Sequence, residues 1–163
     1  MPSFIVDGYN LIYKIPELRK ILDVNLENAR NSLLQYVSGY SQGKNLSVAV
    51  VFDGSQDESI VYPHRIQGVR AIYSPPGKKA DDVIVSMAKR ASKPGEIIVV
   101  TADFHTIIIR LRGMGVKFQS PQEFWRLIRR KTVSSNYKNE KPVTIEEKDM
   151  QRWLKIFSEE NSE

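Results

Sequence analysis

Ser3-Phe4-Ile5-Val6-Asp7-Gly8-Tyr9-Asn10 is the stretch on which the fold turns. Ser3–Asp7 reads as a buried strand: a short apolar run, partly β-branched, that ends in an acid. The pattern returns twice. Leu46–Asp53 is a second apolar, β-branched run closed by an acid, and Gly95–Thr101 is a third, with Asp103 close behind. Helical periodicity lies between these runs. Asn25–Gln42 has apolar positions at Leu26, Ala29, Leu33, Leu34, Val37 and Tyr40, with Asn25 placed as N-cap and Gly43 as stop. Lys79–Ser92 reads as a helix through Val83, Ile84, Met87, Ala88 and Ala91, and Phe104–Arg112 as another that stops at Gly113. Pro16–Leu22 is a short helix, Ser59–Tyr73 a strand pair broken around Pro63 and Gly68, Ser74–Lys79 a Pro-Pro-Gly loop, and Val116–Phe118 a short strand. Ser120, Pro121 and Glu123 supply an N-cap, an N1 proline and an N3 acid. Thr144–Glu147 repeats the capping pattern before a last helix through Met150, Trp153, Leu154 and Phe157. Strands alternating with helices predict an α/β fold with a mainly parallel sheet and helices on both faces.

The chain has 163 residues, of which 41% are hydrophobic and 26% charged, so a globular domain is expected. It contains no cysteine, which excludes disulfide scaffolds, zinc fingers, thiol nucleophiles and iron–sulfur clusters. His64 and His105 are the two histidines, too few for a multi-histidine metal site. No apolar run approaches the ~18 residues of a membrane span, and Met1–Asp7 is too short for a signal core. A soluble, cytoplasmic protein with no membrane partner is the expectation. The formal net charge is +5, and it is unevenly placed. Arg110–Lys141 holds nine bases against two acids, whereas Thr144–Glu163 has a net charge of −3. Arg126, Arg129, Arg130 and Lys131 stand near Trp125 and Tyr137, a mixture of bases and aromatics that suits a polyanion.

In parallel α/β folds, ligands bind outside the carboxyl ends of the strands. Asp7, Asp53 and Asp103 stand at those ends, and Asp81 and Asp82 open a helix after the Ser74–Lys79 loop. Any one of them could be a turn residue or a helix cap. Together on one edge they point to a site. Clustered carboxylates repel unless a cation neutralises them. Oxygen ligands without His or Cys favour Mg²⁺ or Mn²⁺, and phosphoryl chemistry follows: the ion polarises a phosphate and lowers the pKa of an attacking water. Lys78 and Lys79 of the loop are placed to reach substrate phosphates. Other chemistries fail on inspection. Gly77-Lys78-Lys79 lacks the upstream glycine and the hydroxyl of a phosphate-binding loop, there is no G-x-G-x-x-G, and so no nucleotide cofactor is expected. Tyr9 stands where an aspartyl-nucleophile phosphatase needs its second acid, and neither histidine accompanies a nucleophile elbow.

The ordered motifs also resemble a known family. Val6-Asp7-Gly8-Tyr9-Asn10, Phe52-Asp53-Gly54, Ala80-Asp81-Asp82-Val83-Ile84, Val100-Thr101-Ala102-Asp103 and Gly115 followed by Ser120-Pro121-Gln122-Glu123-Phe124 are similar to the motif series of NYN-domain nucleases in the PIN-like superfamily, and most of all to their small bacterial YacP-like branch. The resemblance runs from about residue 1 to 131, which leaves 132–163 as a polar connection and a C-terminal helix. It implies a three-layer PIN-like fold and a metal-dependent endoribonuclease. Asp7, Asp81, Asp82 and Asp103 would form the Mg²⁺- or Mn²⁺-binding cluster, and Asn10 would orient the scissile phosphate or a water. Asp53 would support the site, and Thr101 keeps the hydroxyl two residues before the last acid. Ala102 departs from the usual Ser or Asn. The resemblance further implies mRNA as substrate, with the ribosome as a partner in some members. The expectation is cleavage of single-stranded RNA by metal-activated water, and its rival is an RNA- or ribosome-binding module without hydrolysis.

Overall fold

A computed structural model describes residues 2–54, 64–66 and 69–130. The chain runs β1 (Ser3–Asp7), α1 (Gly8–Lys14), α2 (Pro16–Val24), α3 (Leu26–Ser41), β2 (Ser47–Phe52), β3 (His64–Ile66), β4 (Val69–Tyr73), α4 (Ala80–Arg90), β5 (Ile97–Val100), α5 (Ile109–Leu111), β6 (Lys117–Gln119) and α6 (Pro121–Arg130). Among the described residues the strands form one sheet in the order β3-β4-β2-β1-β5-β6. Only the β3–β4 pairing is antiparallel there; the other pairings are parallel.

Strand alternation divides the core. Phe4 and Val6 point to the face covered by α1, α2, α3 and α6, where they pack with Leu11, Leu33, Val37 and Phe124. Ile5 points to the other face and packs with Ile84, Val85, Ile107 and Leu111. A period of two thus serves two apolar layers, so the strands read as continuous apolar runs. β2 and β5 lie on opposite sides of β1. The connections leave β1 in one direction and return on its other side, so the topological switch point falls between β1 and β5. That is the crevice where such folds bind ligands.

Most elements fall where the sequence places them, with differences of local origin. Asn25 caps α3 by accepting from Asn28 N at 3.0 Å, and Ser120 caps α6 by accepting from Glu123 N at 3.0 Å. Gly43 and Gly113 follow α3 and α5 at φ 74° and 81°, the left-handed stop that glycine permits. The helix α1 has no counterpart in the sequence reading. It starts straight after β1 on Gly-Tyr-Asn, with no side-chain cap, and burial of Leu11 and Ile12 overrides weak local propensity. The strand expected from Gly95 begins at Ile97 because Pro94–Glu96 forms a 3₁₀ turn. The helix expected over Phe104–Arg112 opens as a π turn over Phe104–Ile108. The expected strand start at Ser59 and the last helix lie outside the described residues.

Candidate active site

Asp7 ends β1 at the switch point and is 9% exposed. Thr101, the first residue after β5 and wholly buried, donates its hydroxyl to Asp7 Oδ2 at 3.1 Å. The same oxygen, Thr101 Oγ1, accepts from Asp103 N at 3.0 Å. Asn10, one turn into α1, accepts from Ala102 N at 2.8 Å. Two side chains from the β1–α1 corner thereby tie down the β5 turn that presents Asp103.

Asp53 follows β2 and accepts from Ala80 N at 2.7 Å, so it pins the first residue of α4 to the strand end. The next residue, Asp81, is thereby held at the same edge. Asp103 is the N-cap of the π turn: its Oδ1 accepts from Thr106 N at 3.1 Å and its Oδ2 from the Thr106 hydroxyl. A π turn widens the backbone locally and is common at functional sites.

These acids act on one another. The Asp7 carboxyl is raised from 3.8 to about 7, burial being the largest cause. The Thr101 hydrogen bond pulls it down, and the charges of Asp103, Asp53 and Asp81 push it up again. Asp82 is not among those charges. It meets Arg110 of α5 at 2.9 Å, and that bond, with the Lys79 backbone N–H, holds its carboxyl below the usual range. Chain order does not reveal this division: adjacent residues at a helix start point in directions about 100° apart.

The basic residues separate in the same way. Lys78 and Lys79 are exposed in the loop that leads into α4. α6 leaves the edge: Phe124 already packs on Phe4, three residues upstream of Asp7, at 5.4 Å between rings. Arg126 and Arg129 lie beyond that level and are exposed, and Arg129 pairs with Glu17 of α2 at 3.1 Å. Arg130 closes α6, while Lys131 and Tyr137 lie outside the described residues. Trp125 packs edge-on to Tyr36 in the core, and His105 is exposed.

Comparison with known proteins identifies the family of the fold. A sequence model of the YacP-like NYN domain matches residues 4–162. The chain belongs to the YacP-like NYN domain family. A protein of Bacillus subtilis (strain 168) named "Uncharacterized protein YacP" is 27% identical over 126 residues, which is 77% of this chain and 74% of that protein. The crystal structure of Rae1 (YacP) from Bacillus subtilis matches with a TM-score of 0.66 at 26% identity, covering 98% of this chain and 84% of that one. A single-substitution variant of it matches with the same TM-score and identity, covering 99% and 87%. The family match takes in the segment after Lys131 as well. No helix among the described residues of this YacP-like domain is long and apolar enough to cross a membrane.

The NYN fold implies a divalent cation, and the donors suit one: they are carboxylates, and the chain has no cysteine. Among the described residues no three His, Asp or Glu side chains stand close enough to cage an ion on their own. One or two carboxylates completed by water and phosphate oxygens is the usual arrangement for Mg²⁺, so the two observations agree.

Sequence reading gave three residues no part in the acidic site. Arg110 draws off Asp82, Thr106 holds Asp103, and Arg30 of α3 donates to Tyr9 Oη at 3.1 Å beside the site. Arg30 left a signal: one cation on a helix stripe whose neighbours Leu26, Leu33, Leu34 and Val37 are apolar.

Proposed function

We propose that this domain is an endoribonuclease that hydrolyses single-stranded RNA with Mg²⁺ or Mn²⁺. One observation carries the reading. Asp7 is buried at the sheet's switch point and surrounded by the charges of Asp103, Asp53 and Asp81. Like charges gathered at a ligand edge lower the stability of the empty fold, which is characteristic of a functional site.

In this reading one or two of Asp7, Asp81 and Asp103 would bind the cation directly and the rest would act through its waters. Bound there, the ion supplies charge stabilisation at a phosphate and a more acidic water. Asn10 and Thr101 would fix the geometry: Asn10 accepts from Ala102 N and Thr101 from Asp103 N, which holds the backbone that presents Asp103. Asp53 keeps Asp81 in place through α4. Lys78 and Lys79, exposed in the loop before α4, would neutralise the phosphates that flank the cut. Asp82 is reserved for Arg110 and has a smaller part. That the substrate is mRNA, met at the ribosome, rests on the family resemblance.

End-labelled single-stranded RNA incubated with the protein tests this. Internal cuts in Mg²⁺ or Mn²⁺ that stop with EDTA, and that fall at least 100-fold in Asp7→Asn and Asp81→Asn, are expected. Retained cleavage in both variants overturns the mechanism. RNA bound but never cut would make the domain a binding module.

A further inference from the structure

Arg30 is a buried cation that no anion accompanies among the described residues. It stands in the first half of α3 and is 9% exposed. Its Nη1 donates to Tyr9 Oη at 3.1 Å, and its guanidinium lies 5.7 Å from the centre of the Tyr73 ring. Both neighbours are neutral. Among the described residues no carboxylate pairs with it. Burying a charge is unfavourable unless a partner offsets it, and a phenol and a ring face offset part of that at most. Among the described residues Nε and Nη2 have no hydrogen-bond partner. The buried guanidinium thus keeps donors for a ligand, in the planar fork that suits an oxyanion.

Its position relates it to the acids. Tyr9 is two residues from Asp7, at most ~7 Å along the backbone. Phe52, just before Asp53, stands between Tyr9 and Tyr73, with ring centres 5.1 Å and 5.4 Å away. Tyr73 ends β4 opposite Phe52 in the register. An aromatic row therefore extends along the carboxyl edge from Asp7 to Arg30, on the side away from Asp103. An alternation of cation and ring faces is how proteins hold a single strand, the cation on phosphate and the rings against bases.

We propose that Arg30 is the base of a phosphate subsite for single-stranded RNA, walled by Tyr9 and Tyr73, which holds a phosphate flanking the one that is cut. This rests on the reading of the edge as an RNA-cleaving site.

RNA binding in an Asp7→Asn background with EDTA tests it, read by anisotropy of a labelled oligonucleotide across a salt series. Arg30→Met should bind about tenfold more weakly, with a log–log salt slope shallower by about 0.7, the share of one phosphate. Arg30→Lys, which keeps charge without the fork, should fall between. Inorganic phosphate at millimolar concentration should raise the melting temperature of the otherwise unmodified chain but not that of Arg30→Met. In phosphate-free buffer Arg30→Met should melt no lower than the parent, because an uncompensated charge has gone. Unchanged affinity and slope, where the chain with Asp7 intact cuts RNA in Mg²⁺, overturn the subsite and leave the edge reading intact. A phosphate shift that depends on Arg30, in a protein that neither binds nor cuts RNA, removes RNA as the ligand. Arg30→Met melting ten degrees lower, with phosphate shifting no form, would make Arg30 a structural cation and end the proposal.

Discussion

Thr101 donates its hydroxyl to Asp7 across 3.1 Å, joining residues 94 positions apart in the chain. The hydroxyl is itself an acceptor for Asp103 N, so one buried atom fixes two of the acids. Thr101→Val keeps the shape and removes both bonds. It should cost about 1–3 kcal/mol, since Asp103 N and the carboxyl each lose a buried partner. Because the lost bond is one that lowers the Asp7 pKa, the carboxyl should titrate still higher than about 7. Carboxyl carbon shifts followed by NMR against pH check the second effect, and urea unfolding the first.

The elevated Asp7 pKa makes stability depend on pH with a definite sign. Between its ordinary 3.8 and about 7, the folded state holds a proton that the unfolded chain has released. Stability from this group is therefore present at low pH and falls as pH rises through that window, by up to roughly 4 kcal/mol. Asp7→Asn lacks the titration. In EDTA the two proteins should melt alike near pH 4, and the variant should melt higher at pH 8. Equal melting at both pH values would mean that Asp7 is not desolvated in the folded protein.

Gly8 occupies the first turn of α1, where alanine would ordinarily stabilise by about 1 kcal/mol. Here a Cβ would lie 2.4 Å from Phe52 Cε1 and 3.0 Å from the Val51 carbonyl oxygen. Phe52 is wholly buried and cannot yield without disturbing Tyr9 and Tyr73. Overpacking of this kind costs about 1–3 kcal/mol and outweighs the gain in propensity. Gly8→Ala should therefore unfold at lower urea, with the slope against denaturant unchanged.

The paired acids at the start of α4 should behave differently. Asp81 acts on Asp7, whereas Asp82 faces Arg110. If the edge cleaves RNA, Asp81→Asn should lower kcat about 100-fold or more and Asp82→Asn by less than about tenfold, the first being a loss of transition-state charge stabilisation. In Arg110→Ala the Asp82 carboxyl should titrate higher than in the parent, which NMR can follow. Equal losses in the two asparagine variants would place both acids at the phosphate.

The architecture was legible in the residues themselves. β1, β2 and β5 are runs that can be stable only when buried, and Asn25, Ser120 and Pro121 mark helix starts by hydrogen bonds local to the chain. Placing acids at strand ends followed from the same reading, because chain order in a parallel sheet dictates which ends share an edge. α1 was not legible, since Gly8, Tyr9 and Asn10 carry no helix signal and only the packing of Leu11 and Ile12 makes them helical. The pKa of Asp7, the diversion of Asp82 to Arg110 and the burial of Arg30 beside Tyr9 were decided by tertiary structure alone. Each depends on desolvation and on distances between segments far apart in sequence, and both quantities exist only once the chain has folded.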